Sequence, residues 1–74
     1  MDIDNLVHMA NRIGEFFQAM PDAAQAQLDL SEHIRKFWEP RMRNALNAHL
    51  ESTGGHDLQP FVRSALISNK VAWL

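Results

Sequence analysis

Ile3 to Met20 reads IDNLVHMANRIGEFFQAM, with apolar residues recurring every three or four positions instead of alternating. At about 100° per residue, Ile3, Leu6, Val7, Ala10, Ile13, Gly14 and Phe17 fall on one face of a helix. Met9, Phe16 and Met20 widen that face on one side, while Asp4, His8, Asn11, Arg12, Glu15 and Gln18 share the opposite side. The spacing predicts a helix from about Asp4 to Met20, with Asp2 or Asp4 as N-cap. Its apolar arc spans roughly half the circumference, wider than the stripe a surface helix usually shows, so part of it is expected to lie beyond one core. Gly14 interrupts that face at a cost of about 1 kcal/mol in helix propensity. Close approach of another helix is the simplest compensation.

The same period continues downstream. Pro21-Asp22 ends the first helix and opens a second, with Asp22 a good N-cap. On the second helix Ala23, Ala26, Leu30, Ile34 and Phe37 form the expected core stripe, with Trp38 at its edge and Leu28 pointing away. Glu39 precedes Pro40 and is biased out of the α region, which ends this helix near Trp38. Pro40 suits the first turn of a third helix carrying Met42, Ala45, Leu46, His49 and Leu50 on one face. Gly54-Gly55 stops it. A fourth helix runs from about Leu58 or Pro60 to Asn69 and aligns Leu58, Val62, Ala65 and Leu66. Strand signals are weak, with no tyrosine and no clean alternation. The expected fold is all-α: a compact bundle of three to four short helices.

The chain has 74 residues, enough for one small helical domain over 1–74. Its last residues, Val71-Ala72-Trp73-Leu74, are apolar and costly to leave in water, so the tail 70–74 is expected to be flexible or docked on a partner. A domain of this size buries only about 60% of its unfolded surface and is marginal unless stapled. The absence of cysteine excludes disulfides, thiolate zinc sites and iron–sulfur ligation. A partner is then the first place to look for extra stability. No apolar run reaches the roughly 20 residues that cross a bilayer, and the opening Met1-Asp2-Ile3-Asp4 is acidic where a secretory signal would be basic. The expected location is the cytoplasm, without membrane attachment. A formal charge of −2 argues against nucleic acid.

Few residues suggest chemistry. None of the four histidines, His8, His33, His49 and His56, has the i, i+4 spacing to another that a helical metal site uses. His8 with Asp4, and His33 with Asp29, read as surface pairs; His49 reads as a satisfied, half-buried histidine. Neither a phosphate-cradling loop nor a serine elbow is present. The expectation is a chain with no catalytic, metal or cofactor-binding residues.

The segment Arg35-Lys36-Phe37-Trp38-Glu39-Pro40-Arg41-Met42-Arg43 is the most unusual. It holds four of the seven basic residues and one of the two tryptophans. It reads either as a helix–helix corner, with Phe37 and Trp38 in the core and the arginines holding local acids, or as a docking surface, since Trp and Arg dominate interface hot spots. The two are compatible. The candidate partner-binding residues are Phe37, Trp38, Glu39, Pro40, Arg41 and Arg43, joined by Met9, Phe16 and Leu28 as surplus apolar surface. A helix-turn-helix DNA reader fits less well, because the helix after Pro40 carries Glu51 and few base-reading side chains.

Leu6 to Asp22 (LVHMANRIGEFFQAMPD) and His33 to Arg43 (HIRKFWEPRMR) resemble the delta subunit of soluble NAD-dependent formate dehydrogenases. The resemblance covers roughly the first fifty residues and is most specific in FWEPRMR and MANRIGEFF. It implies a cytoplasmic multi-subunit enzyme that oxidises formate and reduces NAD, with the chemistry on other chains. A large alpha subunit would hold the molybdenum or tungsten pterin and iron–sulfur clusters, and other subunits flavin and further clusters. This chain would then be a non-catalytic accessory subunit in a hetero-oligomer, binding the alpha subunit and supporting assembly or activity. A transient maturation factor for pterin insertion, or a helical interaction domain unrelated to formate oxidation, are the alternatives. In isolation the broad arc of the first helix suggests self-association.

Overall fold

The computed structural model describes residues 2–74. Among them the chain forms α1 (Ile3–Gln18), α2 (Ala23–Phe37), α3 (Pro40–Thr53), α4 (Pro60–Ser68) and the single turn α5 (Lys70–Trp73), with no strand. The all-α class is as expected. The bundle consists of four longer helices, and the fifth is a short turn made from the tail.

Local chemistry sets the boundaries. The Asp2 carboxylate accepts from the Asp4 N–H at 3.0 Å and opens α1; Asp22 accepts from the Gln25 N–H at 3.1 Å and opens α2. Both α3 and α4 begin with proline, each after a residue held extended, Glu39 and Gln59. Gly54 and Gly55 both adopt positive φ, 77° and 72°, which turns the chain sharply out of α3.

One cluster forms the core: Leu6, Val7 and Ala10 from α1, Leu30 and Ile34 from α2 with Trp38 after it, Leu46 and Leu50 from α3, Leu58, then Val62, Ala65 and Leu66 from α4, and Trp73 from α5. Helix α2 packs on α1, α4 and α5, and α1 packs on α2, α3 and α4. That arrangement accounts for the wide arc of α1. Three neighbouring helices cover it, and Ile3, Met9, Ile13 and Phe17 pack against the core, leaving Phe16 outside. The surplus surface expected on this helix shrinks to one phenylalanine, and the case for self-association through it loses its premise.

Gly14 is where α1 meets α4. A Cβ at this position would overlap the Cγ2 of Val62, which is fully buried. The close approach inferred from the glycine is therefore present, and α4 is the helix that makes it.

The tail departs from expectation. Lys70–Trp73 form a turn that lays Trp73 into the core at 0% exposure, its indole Nε1 donating to the Leu66 carbonyl at 2.8 Å. From α3, Arg43 donates to the carbonyls of Trp73 at 3.2 Å and Leu74 at 3.4 Å. Neither flexibility nor a partner is needed to shelter Trp73. The domain's own core has room for an indole, and Leu66 supplies the acceptor that a buried N–H requires. Val71, by contrast, is 92% exposed.

Two stability predictions follow from this packing. Gly14→Ala should destabilise by about 1–3 kcal/mol, the usual cost of overpacking, despite the better helix propensity of alanine. The cost should fall in a Val62→Ala background, and an equal cost in both backgrounds, from urea unfolding, would refute the contact. Trp73→Ala should lose about 3–5 kcal/mol, whereas Val71→Ala should change stability by less than about 0.5 kcal/mol.

Candidate functional site

The corner between α2 and α3 is built by the exit from α2. Its buried positions Ala26, Leu30 and Ile34 are spaced four apart, and Trp38 continues that row at 5% exposure. Trp38 has left the helix, with φ −94° and ψ 138°, while its N–H still caps the Ile34 carbonyl at 2.9 Å. Ala23 and Phe37 lie three residues from the row's outer members and are exposed, Phe37 at 70%. Two expectations are therefore corrected. Ala23 and Phe37 are not core residues, and Trp38 is one, so its ring is not open to a partner. A core stripe can advance by three or by four, and the neighbouring helices here select four.

The other candidates scatter. Glu39, Pro40 and Arg41 are exposed at the corner; Arg43 is half-buried and engaged with the tail. Met9 packs against the core, with its sulfur 3.7 Å from the Asn5 amide nitrogen. Leu28 is half-buried. Phe16 is 74% exposed.

What the structure brings together instead is a row of rings across α1 and α2. Phe16 and Phe17 meet edge-on at 5.3 Å between centroids, Phe17 and His33 at 5.6 Å, and His33 and Phe37 at 4.6 Å. These separations are those of interacting rings. The row borders a concavity of about 220 Å³ lined by Phe17, Asp29, Glu32, His33, Lys36 and Phe37. A second, of about 370 Å³, is lined by Glu32, Arg35, Lys36 and Ala72. Glu32 and Lys36 line both, so the two form one surface along α2. The expected His33–Asp29 pair gives way to this row, with the Asp29 carboxylate accepting from Gln25 Nε2 at 2.8 Å. Phe17 and His33 were not legible as site residues, because helical phase does not say which rings of two helices will meet.

Ion pairs among the described residues are His49–Asp57 and Lys70–Glu51. Among the described residues, Arg35, Lys36 and Arg41 hold no carboxylate, contrary to the expectation that the arginines grip local acids. His49 Nε2 lies 2.9 and 3.0 Å from the two Asp57 oxygens. Asn11 donates to the Asp57 carbonyl at 3.2 Å and accepts from the Gln59 N–H at 2.9 Å. Together these bonds fasten the loop between α3 and α4 to α3 on one side and to α1 on the other. Among the described residues, no group of three or more His, Cys, Asp or Glu side chains is placed to hold a metal ion.

Residues 5–66 match the family described as NADH-dependant formate dehydrogenase delta subunit FdsD. The chain belongs to this family. The match extends past the first fifty residues to take in the Gly54-Gly55 turn and most of α4, and it stops short of α5. The ring row and the basic corner lie inside it, whereas Trp73, which completes the core, lies outside. No curated protein and no solved structure matches the chain. No helix among the described residues is long and apolar enough to cross a membrane.

The hydrogen bond from His49 holds the Asp57 carboxyl below the ordinary aspartate range, opposed in part by burial. A carboxyl with a lower pKa in the folded than in the unfolded chain stabilises above the unfolded value, and that contribution is lost as pH falls through the folded one. The difference in urea midpoint between the native chain and Asp57→Ala should therefore shrink as pH drops below the ordinary aspartate range. A constant difference across that window would show that the carboxylate's charge is not what fastens the loop.

Proposed function

We propose that this chain is a non-catalytic accessory subunit of a cytoplasmic NAD-dependent formate dehydrogenase, binding the large alpha subunit and supporting its assembly or activity. The pterin, iron–sulfur clusters and flavin of the reaction belong, in this reading, to the partner subunits. The observation that carries it is the ring row of a delta-subunit family member, with Phe16 and Phe37 74% and 70% exposed at its two ends. Burying a phenylalanine side chain is worth about 1.5–3 kcal/mol, so two left largely in water represent unused association energy. Aromatic side chains are also enriched at interfaces. The rings sit on α1 and α2, whose opposite faces are fixed in the core, and a surface on rigid helices loses little entropy on docking.

The test is purification of the tagged chain from its native host under mild conditions, with assay of formate-dependent NAD reduction. Stoichiometric recovery with a large molybdenum- or tungsten-containing chain and with activity is expected. Recovery of metal-free alpha subunit alone would transfer the role to maturation. Absence of any formate dehydrogenase subunit from the purified material would overturn the proposal.

A further inference from the structure

We infer that the free chain pairs with a second copy of itself through the outward face of α2, the two helices running antiparallel about a twofold axis beside His33. The pairing goes beyond the accessory-subunit reading and does not depend on it. It uses the ring row assigned above to the alpha subunit, so the two occupants exclude each other. The surface is that of α2, not the arc of α1 that the core already covers.

The charges around this face balance. Asp29, Glu32 and Glu39 stand against Arg35, Lys36 and Arg41, so no net sign calls for a partner of opposite charge. The order of the charges is what selects an occupant. Within α2 both acids, Asp29 and Glu32, precede both bases, Arg35 and Lys36. None of the four joins an ion pair among the described residues, and Asp29 accepts from the uncharged Gln25 amide. The midpoint between Asp29 and Lys36 and that between Glu32 and Arg35 both fall beside His33. A twofold axis at that level sets Asp29 toward the other copy's Lys36 and Glu32 toward its Arg35. Parallel pairing in register would set each charge against its like.

The face also matches itself sideways. At about 100° per residue, Asp29 and Lys36 run along its middle, opposite the buried Ser31 and Ile34, with Glu32 and Arg35 to one side and His33 and Phe37 to the other. The two concavities divide in the same way: Phe17, His33 and Phe37 line one, Arg35 and Ala72 the other, and Glu32 and Lys36 line both. A twofold axis lying in the interface, perpendicular to the helices, keeps each flank on its own side. Rings then meet rings, and the Glu32–Arg35 flank meets itself reversed. The two Glu32 side chains are the like charges nearest the axis, and each is flanked by the other copy's Arg35. The exposed Phe37 and Phe16 extend the ring flank and supply the apolar contact. Exposed ion pairs add little affinity, so the charges serve to fix direction and register.

The experiment is sedimentation equilibrium of the isolated full chain over a range of concentrations, with circular dichroism to check each variant's fold. The native chain should form a concentration-dependent dimer. Asp29→Lys/Glu32→Lys makes the helix face basic and Arg35→Glu/Lys36→Glu makes it acidic, and each alone should self-associate at least about tenfold more weakly. An equimolar mixture of the two should dimerise again, because the basic face of one meets the acidic face of the other. Phe37→Ala should also weaken the dimer about tenfold or more. The chain has no cysteine, so Glu32→Cys places a single thiol beside the axis. An added oxidant should join two copies through it and leave Arg12→Cys, on the polar side of α1, largely uncoupled; this comparison decides if either double variant fails to fold. A native chain that stays monomeric up to about 1 mM would overturn the pairing. So would folded double variants that do not associate on mixing, or equal coupling through positions 32 and 12. None of these measurements involves the alpha subunit, so each failure leaves the accessory-subunit reading standing.

Discussion

The indole of Trp73 closes the core, and the rest of the domain is arranged to receive it. With no disulfide to staple the chain, the packed interior carries the fold, and Trp73 belongs to that interior beside α2 and α4. Helix α5 packs on both, with the indole N–H satisfied by Leu66. Arg43 adds α3 to the same junction by holding the backbone carbonyls of Trp73 and Leu74. One turn of chain thereby ties three helices together. A long cation bonded to chain-end carbonyls also complements the negative end of the α5 turn.

Helix α2 is the element most enclosed by this arrangement. Its buried row runs from Ala26 through Leu30 and Ile34 to Trp38, and Ser31 lies inside with its hydroxyl placed to donate to the carbonyls of Gln27 at 3.0 Å and Ala65 at 3.4 Å. A hydroxyl in the core is tolerable because both acceptors are fixed backbone groups, one on its own helix and one on α4. With one face committed to α1, α4 and α5, the opposite face of α2 is held in water in a single orientation. The ring row and the cations are displayed on that face, so the core that stabilises the domain also preorganises the surface.

Most of the fold was legible because its signals are local. Asp2 and Asp22 cap, Pro40 and Pro60 open helices, Gly54-Gly55 ends one, and Gly14 marks a close contact; each follows from the conformational limits of one or two residues. The surface was less legible because it depends on how helices meet. Trp38 and Phe37 exchange places because the spacing of apolar residues along α2 admits two stripes, and only its packing partners choose between them. His33 had a plausible partner four residues away in Asp29, yet its ring lies beside Phe17, a residue from another helix. The tail was ambiguous for a related reason: an apolar end is costly in water, but sequence does not show whether the shelter comes from the same chain. The basic corner was visible as a run of residues, while the separation of its cations into a tail-holding Arg43 and an Arg35, Lys36 and Arg41 with no ion pair among the described residues required the structure.

That separation bears on how the corner works. Trp38 and Arg43 face inward and hold α2, α3 and the tail together, whereas Phe37, Arg35, Lys36 and Arg41 face outward and contribute little to the core. Inward and outward roles alternate along a few residues because the chain leaves the helix at Trp38 and re-enters one at Pro40. Extended backbone at Trp38 and Glu39 turns successive side chains to opposite sides. Loss of Trp38 would therefore act through the fold, and any effect on association would be secondary to it. Loss of Phe37 or of the exposed cations would leave the fold largely in place. The sequence run FWEPRMR thus holds inward-facing Trp38 and Arg43 beside exposed Phe37 and Arg41 in one short segment, with the change of helix at Pro40 between them.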